Sequence, residues 1–220
     1  KPGAYESMVG FASRAHRELK ESGVAALTIV SVDVEDLYGY PRTDGRCPSM
    51  SPKECFEDRR PLLGTIEADR LGLVSFPATA LSAIKTLPDD WLSYVADAVP
   101  GMQVVITGIG LPARPLEVKS GVCVPFVESD EGLQRKLLDQ GLALADTKKA
   151  EFMVWTAARD YFDSDSIGPC VCSGPKALCD HLDQLGGAAD ALRPRLIQGL
   201  FGVNGASRLA GELWLGLLEE

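Results

Sequence analysis

Three carboxylates, Asp33, Glu35 and Asp36, close the run IVSVDVEDLYGY at residues 29–40. Hard divalent cations take oxygen ligands, and acids gathered at a strand end are a common way to hold them for hydrolysis or phosphoryl transfer. The three are therefore candidate ligands for Mg2+ or Zn2+, with Asp33 and Glu35 as the catalytic pair. The same acids also suit the wet rim of a sheet, which needs no ligand. A second candidate is CVCSGPKALCDH at 170–181, where Cys170, Cys172, Cys179 and His181 could take a soft metal such as Zn2+. Its C-x-C spacing is not the usual knuckle, and a disulfide to Cys47 or Cys55, or thiols packed in a core, accounts for it more simply. Gly108 and Gly110 in VVITGIGLP lack the third glycine and the following helix of a phosphate loop, so they read as a turn.

The acids are positioned by a strand. In VAALTIVSVDV, Val30, Val32 and Val34 alternate with Ser31, Asp33 and Glu35, giving one apolar and one polar face. Upstream, Tyr5, Met8, Val9, Ala12, Ala15 and Leu19 recur at helical spacing before Gly23, which predicts an amphipathic helix over 5–21 with His16 on its solvated side. Downstream, residues 37–61 carry Pro41, Asp44-Gly45, Pro48 and Pro52, an irregular stretch long enough to be a binding element or lid, with a short helix started by Ser51 and Pro52.

Further along, PATALSAIKTL and PDDWLSYVADAV read as helices, MQVVITGIG and GVCVPFV as strands, and SDEGLQRKLLDQGLALAD as a helix. KKAEFMVWTAARDYF, 148–162, reads as helix or strand, with helix preferred. After a linker near 163–175 the remainder is read as helical, ending in ASRLAGELWLGLLEE with Leu209, Leu213, Trp214 and Leu217 in one stripe. Glycines and Pro194 weaken these last helices in isolation, so they are expected to dock on something.

A net charge of −9 disfavours binding to a phosphate backbone, whose affinity is mostly cationic neutralisation. No apolar run reaches the roughly 18–20 residues that a membrane-spanning helix requires. The six cysteines leave the compartment open.

Residues 71–158, from LGLVSFPATALSAI through DDWLSYVADAV, MQVVITGI and GVCVPFV to LQRKLLDQGLALAD, resemble the staphylococcal-nuclease-like half of extended Tudor domains. That resemblance implies an OB-type barrel. The nearest counterpart of the family's aromatic cage is VEDLYGYP, in which Tyr38 and Tyr40 stand as candidate aromatic walls. The D-Y-G-N turn of the cage and the nuclease constellation of arginines and acids are absent, so neither methylarginine recognition nor nuclease activity is implied.

The expected fold is α+β: a small barrel or sheet with packed helices over 1–167 and a helical region over 168–220, with a doubly wound α/β sheet as the alternative. The expected function is a non-catalytic protein-interaction or complex-assembly module, partnered by other protein subunits through Tyr38, Tyr40 and Trp214. The alternative is a divalent-metal-dependent hydrolase or phosphoryl-transfer enzyme built on Asp33, Glu35 and Asp36.

Overall fold

A computed structural model of the chain describes residues 4–40, 47, 50–84, 86–99, 101–120, 122–127, 129–148, 150–160, 166–167 and 198–218. Four strands form one sheet: β1 (Ile29–Asp33), β2 (Arg70–Ser75), β3 (Gln103–Ile109) and β6 (Met153–Trp155), in the order β1-β2-β3-β6. β1 and β2 run parallel, with Val32 opposite Leu73 and Ser31 opposite Gly72. Helices separate the strands, as a parallel pairing requires of its crossovers. α1 (Ala4–Glu21) precedes β1. α2 (Val34–Leu37) and α3 (Pro52–Leu63) lie between β1 and β2, α4 (Ala78–Ile84) and α5 (Ser93–Ala96) between β2 and β3, and α6 (Glu131–Lys148) before β6.

The fold is thus α/β with a parallel sheet, and it corrects two expectations. The α+β barrel is not formed. Nor is the OB-type barrel implied by the Tudor resemblance, because residues 71–158 supply neighbouring strands of the parallel sheet instead of a closed Greek-key barrel. What misled was generic hydrophobic spacing, which the two architectures share. LGLV and VVI are buried almost without alternation, the mark of strands covered on both faces. The stretch read as helix over 148–162 is also corrected. It leaves α6 at Lys148 and enters β6, where β-branched and aromatic residues complete the sheet edge.

The chain divides into two compact units. The first comprises 1–75, 90–107 and 142–153. Its core gathers Val32, Leu71, Leu73, Val104 and Ile106 from strands with Leu37, Phe56, Leu63, Trp91 and Leu92. A capping box starts α3: the Ser51 hydroxyl accepts from the Glu54 N–H while the Glu54 carboxylate accepts from the Ser51 N–H, with Pro52 in the first turn. Cys55 on α3 is joined to Cys47 by a disulfide, so neither is left to pair with the cysteines of 170–179 as the sequence suggested. Gly39, at φ +82°, packs against this disulfide, and a Cβ there would come within 2.7 Å of Cys55 Sγ.

The second unit comprises 76–89, 108–141 and 154–220. In it β4 (Leu116–Ser120) and β5 (Val122–Val127) form an antiparallel hairpin, with β7 (Ser166–Ile167) parallel to β4. The carboxylate of Asp160 is buried against Arg208, which also donates to the Gly199 carbonyl at 2.8 Å, while Gly199 N–H donates to Asp160 at 2.8 Å. This clasp holds residues 198–202 beside 157–160, where Phe201 bridges both Arg159 and Ser207. Residues 198–203, expected to end a helix, are not helical here. α7 (Leu209–Gly216) is the described part of the last expected helix.

Candidate functional site

The strand that carries the acids stops earlier than its alternation suggests. At Asp33 the side chain accepts from the Asp36 N–H at 2.8 Å, caps α2 and turns the chain into a helical turn. Beyond that point Glu35 no longer shares a face with Ser31 and Asp33. It swings into the first unit, where only 5% of it is exposed. There the Ser75 hydroxyl, at the carboxyl end of β2, donates to Glu35 Oε1 at 2.5 Å. Trp91 Nε1 lies 3.0 Å from Ser75 Oγ and 3.3 Å from Glu35 Oε1. Asp36 offers its backbone carbonyl to Arg59.

The three acids therefore have three different tasks: a helix cap, a buried acceptor and the turn gripped by α3. Among the described residues no group of three His, Cys, Asp or Glu side chains is arranged to hold a metal ion. The cysteine cluster at 170–179 and His181 lie outside the described residues.

Tyr38 and Tyr40 are both buried, at 2% and 3%. Their rings lie 4.5 Å and 6.4 Å from that of Trp91, and Tyr38 is also 5.7 Å from Phe56. The Tyr38 hydroxyl donates to the Trp91 carbonyl at 3.1 Å, and burial, reinforced by the charge of Asp90, pushes its pKa far above the ordinary tyrosine value. Trp214, the third predicted binding residue, is half-buried on α7. Sequence reasoning had no signal for Ser75 or Trp91 as partners of Glu35, because these lie 40 and 56 residues away in the chain.

A different surface emerges at α1. Among the described side chains of α1, Val9 and Ser13 are buried, and several of its contacts with the unit are polar. Ser13 donates to the Thr65 carbonyl and accepts from the Glu67 N–H. His16 Nδ1 lies 2.6 Å from Thr28 Oγ1. The single proton of Thr28 is committed to Asp69, so His16 Nδ1 is the donor. Arg17 pairs with Glu67 at 2.6 Å and Lys20 with Asp69 at 2.8 Å. His16, expected in solvent, is thus part of the inner face. The apolar stripe points outward: Met8, Phe11 and Leu19 are 44%, 65% and 42% exposed. Beside them Val24, Leu27 and the edge-strand residue Ile29 are exposed as well.

The hydrogen bonds from Lys20 and Thr28 hold the Asp69 carboxyl well below its ordinary value of 3.8. A depressed carboxyl contributes stability that is present above the ordinary value and lost as pH falls below it. Asp69→Asn should therefore lower Tm at pH 7 and flatten the acid limb of a Tm-against-pH curve. An unchanged acid limb would show that Asp69 does not tie α1 down.

No family model matches the sequence, and no curated protein matches it. Among solved structures, the chain is similar to an active-site mutant of a Rhizomucor miehei β-1,3-glucanosyltransferase in complex with laminaritriose, at 14% identity and a TM-score of 0.43, covering 94% of this chain and 56% of that one. It is also similar to a Ruminococcus gnavus β-glucuronidase in complex with D-glucuronic acid, at 12% identity and a TM-score of 0.41, covering 93% of this chain and 29% of that one. The chain thus spans about half the length of the first and under a third of the second. Likeness at this level brings no activity, substrate or site residue to this chain.

Proposed function

We propose that the protein is an interaction module that docks on another protein surface through the outward stripe of α1 and the neighbouring residues Val24, Leu27 and Ile29. The observation that carries this reading is the orientation of α1. An amphipathic helix in a soluble protein normally turns its apolar stripe to the core. Here polar contacts face inward, and Met8, Phe11 and Leu19 face water. Magnitudes favour a missing cover. Each large apolar side chain forgoes roughly 1 kcal/mol or more by remaining half-exposed. The exposed ion pairs that hold the helix return about 0–1 kcal/mol each. The β1 edge adds to the argument, because parallel sheets are seldom left uncovered and Ile29 breaks the rule that edges are guarded by charge.

The test has two arms. Phe11→Glu should leave Tm essentially unchanged, within about 0.5 kcal/mol in stability, because the module itself makes no use of that ring. A benzophenone photocrosslinker at position 11, irradiated in the cells that make the protein, should then give a discrete protein adduct. Lack of any adduct, or a large stability loss in Phe11→Glu, would defeat the reading.

A further inference from the structure

We propose that Asn204 is a modification site, whose side-chain amide is lost to water when the segment 198–208 opens and is kept while that segment is closed. Asn204 is the sole asparagine of the chain, and a glycine follows it. An asparagine before glycine is especially prone to this loss, because no Cβ on the second residue hinders the approach of its nitrogen to the asparagine Cγ.

The chemistry needs nothing beyond the chain and solvent. The Gly205 nitrogen gives its proton to solvent base and attacks Asn204 Cγ, closing a cyclic imide. The Cγ–Nδ2 bond breaks, and the nitrogen leaves as ammonia with a proton taken from water. Water then opens the imide. Opening at Cγ leaves aspartate, and opening at the main-chain carbonyl leaves isoaspartate, with an extra carbon in the backbone. Either product places a new carboxylate on a turn that the Arg159 guanidinium packs against, since a Cβ on Gly205 would lie 3.1 Å from Arg159 Nη2.

The closed turn blocks the first step. Gly205 N–H donates to the Gly202 carbonyl at 2.9 Å, so the nucleophile is tied back. Asn204 Oδ1 accepts from the Ala206 N–H at 3.0 Å, which pins the carboxamide in a turn of its own. Behind the turn, Gly202 N–H donates to the Ala206 carbonyl at 2.9 Å and Arg208 N–H to the Leu200 carbonyl at 3.2 Å, with the Phe201–Ser207 bridge between them. This hairpin is fastened to 157–160 in turn. Phe201 N–H donates to the Ala158 carbonyl at 3.0 Å, Asp160 N–H donates to the Phe201 carbonyl at 3.1 Å, and Arg208 grips the buried Asp160 carboxylate. Asn204 is exposed, so water already reaches it and conformation is what restrains it. The rate of amide loss in the folded chain is then the open-chain rate multiplied by the fraction of time the segment is open.

The test incubates the whole chain at neutral pH and follows its tryptic peptide 196–208 by mass spectrometry, with fragmentation placing the change on residue 204 and not on Gln198. Digestion at mildly acidic pH keeps the amide from being lost in handling. Folded wild type should hold the amide at least about tenfold longer than the same chain unfolded in guanidinium chloride. Arg208→Lys keeps the charge but not the two-pronged grip on Asp160, and should lose the amide severalfold faster than wild type at the same temperature. Circular dichroism checks that this variant is folded. Wild type in guanidinium chloride below its unfolding transition gives a measurement free of any folding defect: loss at Asn204 should speed up while tryptophan fluorescence is still native. A folded wild type that loses the amide as fast as the unfolded chain overturns the proposal. So does an amide retained in the unfolded chain, or one whose loss ignores Arg208→Lys and rises only with global unfolding.

Discussion

Arg208→Met should cost the fold about 3–5 kcal/mol at pH 7, read from urea unfolding, because it strands a buried carboxylate. Asp160 is 5% exposed, and its charge is met by the Arg208 guanidinium and the Gly199 N–H, with the Arg114 charge acting on it as well. Removing the guanidinium also deprives the Gly199 carbonyl of its donor. The pH dependence gives a second check. Burial already pushes the Asp160 carboxyl above its ordinary value even with Arg208 present, and without Arg208 only the Gly199 N–H and the Arg114 charge oppose that push. A raised carboxyl contributes stability below its unfolded value and loses it as pH rises. The deficit of Arg208→Met should therefore be largest at neutral pH and shrink toward pH 4. Asp160→Asn/Arg208→Met should recover part of the loss, since a neutral amide oxygen still accepts from Gly199. If the single variant loses less than 1 kcal/mol, the pair is not holding residues 198–208 in place.

Trp91→Ala should cost a similar amount, about 3–5 kcal/mol, chiefly through the cavity left beside Tyr38 and Tyr40. Trp91→Phe separates packing from polarity. It keeps most of the ring volume and deletes only the N–H shared by Ser75 and Glu35, so about 1–2 kcal/mol is expected. Trp155 and Trp214 remain as fluorescence probes in both variants. Neither should change the crosslink at position 11 while the fold holds. A Trp91→Phe variant as weak as Trp91→Ala would mean that the hydrogen bonds to Glu35 and Ser75 outweigh the packing.

These two clusters show how far the chain can be read in one dimension. The alternation over 30–35 located β1, and Ser51-Pro52 located the start of α3, because strand period and capping chemistry are local. The hydrophobic run in MQVVITGIG marked a strand but not its direction. Parallel and antiparallel neighbours bury the same residues, which is why a barrel was an equally good fit to the spacing.

Composition and short-range pattern by themselves determined the secondary elements near the start of the chain, the absence of any long apolar run, and the net acidity. Tertiary structure alone decided what the acids do. Glu35 became a buried acceptor when Asp33 capped the turn and sent it toward Ser75 and Trp91, partners that only folding brings within reach. Tertiary structure also decided which side of α1 faces outward. An amphipathic pattern states that a helix has two faces, but which one is covered depends on what lies opposite, and here Thr28, Thr65, Glu67 and Asp69 offer polar partners where an apolar wall was expected.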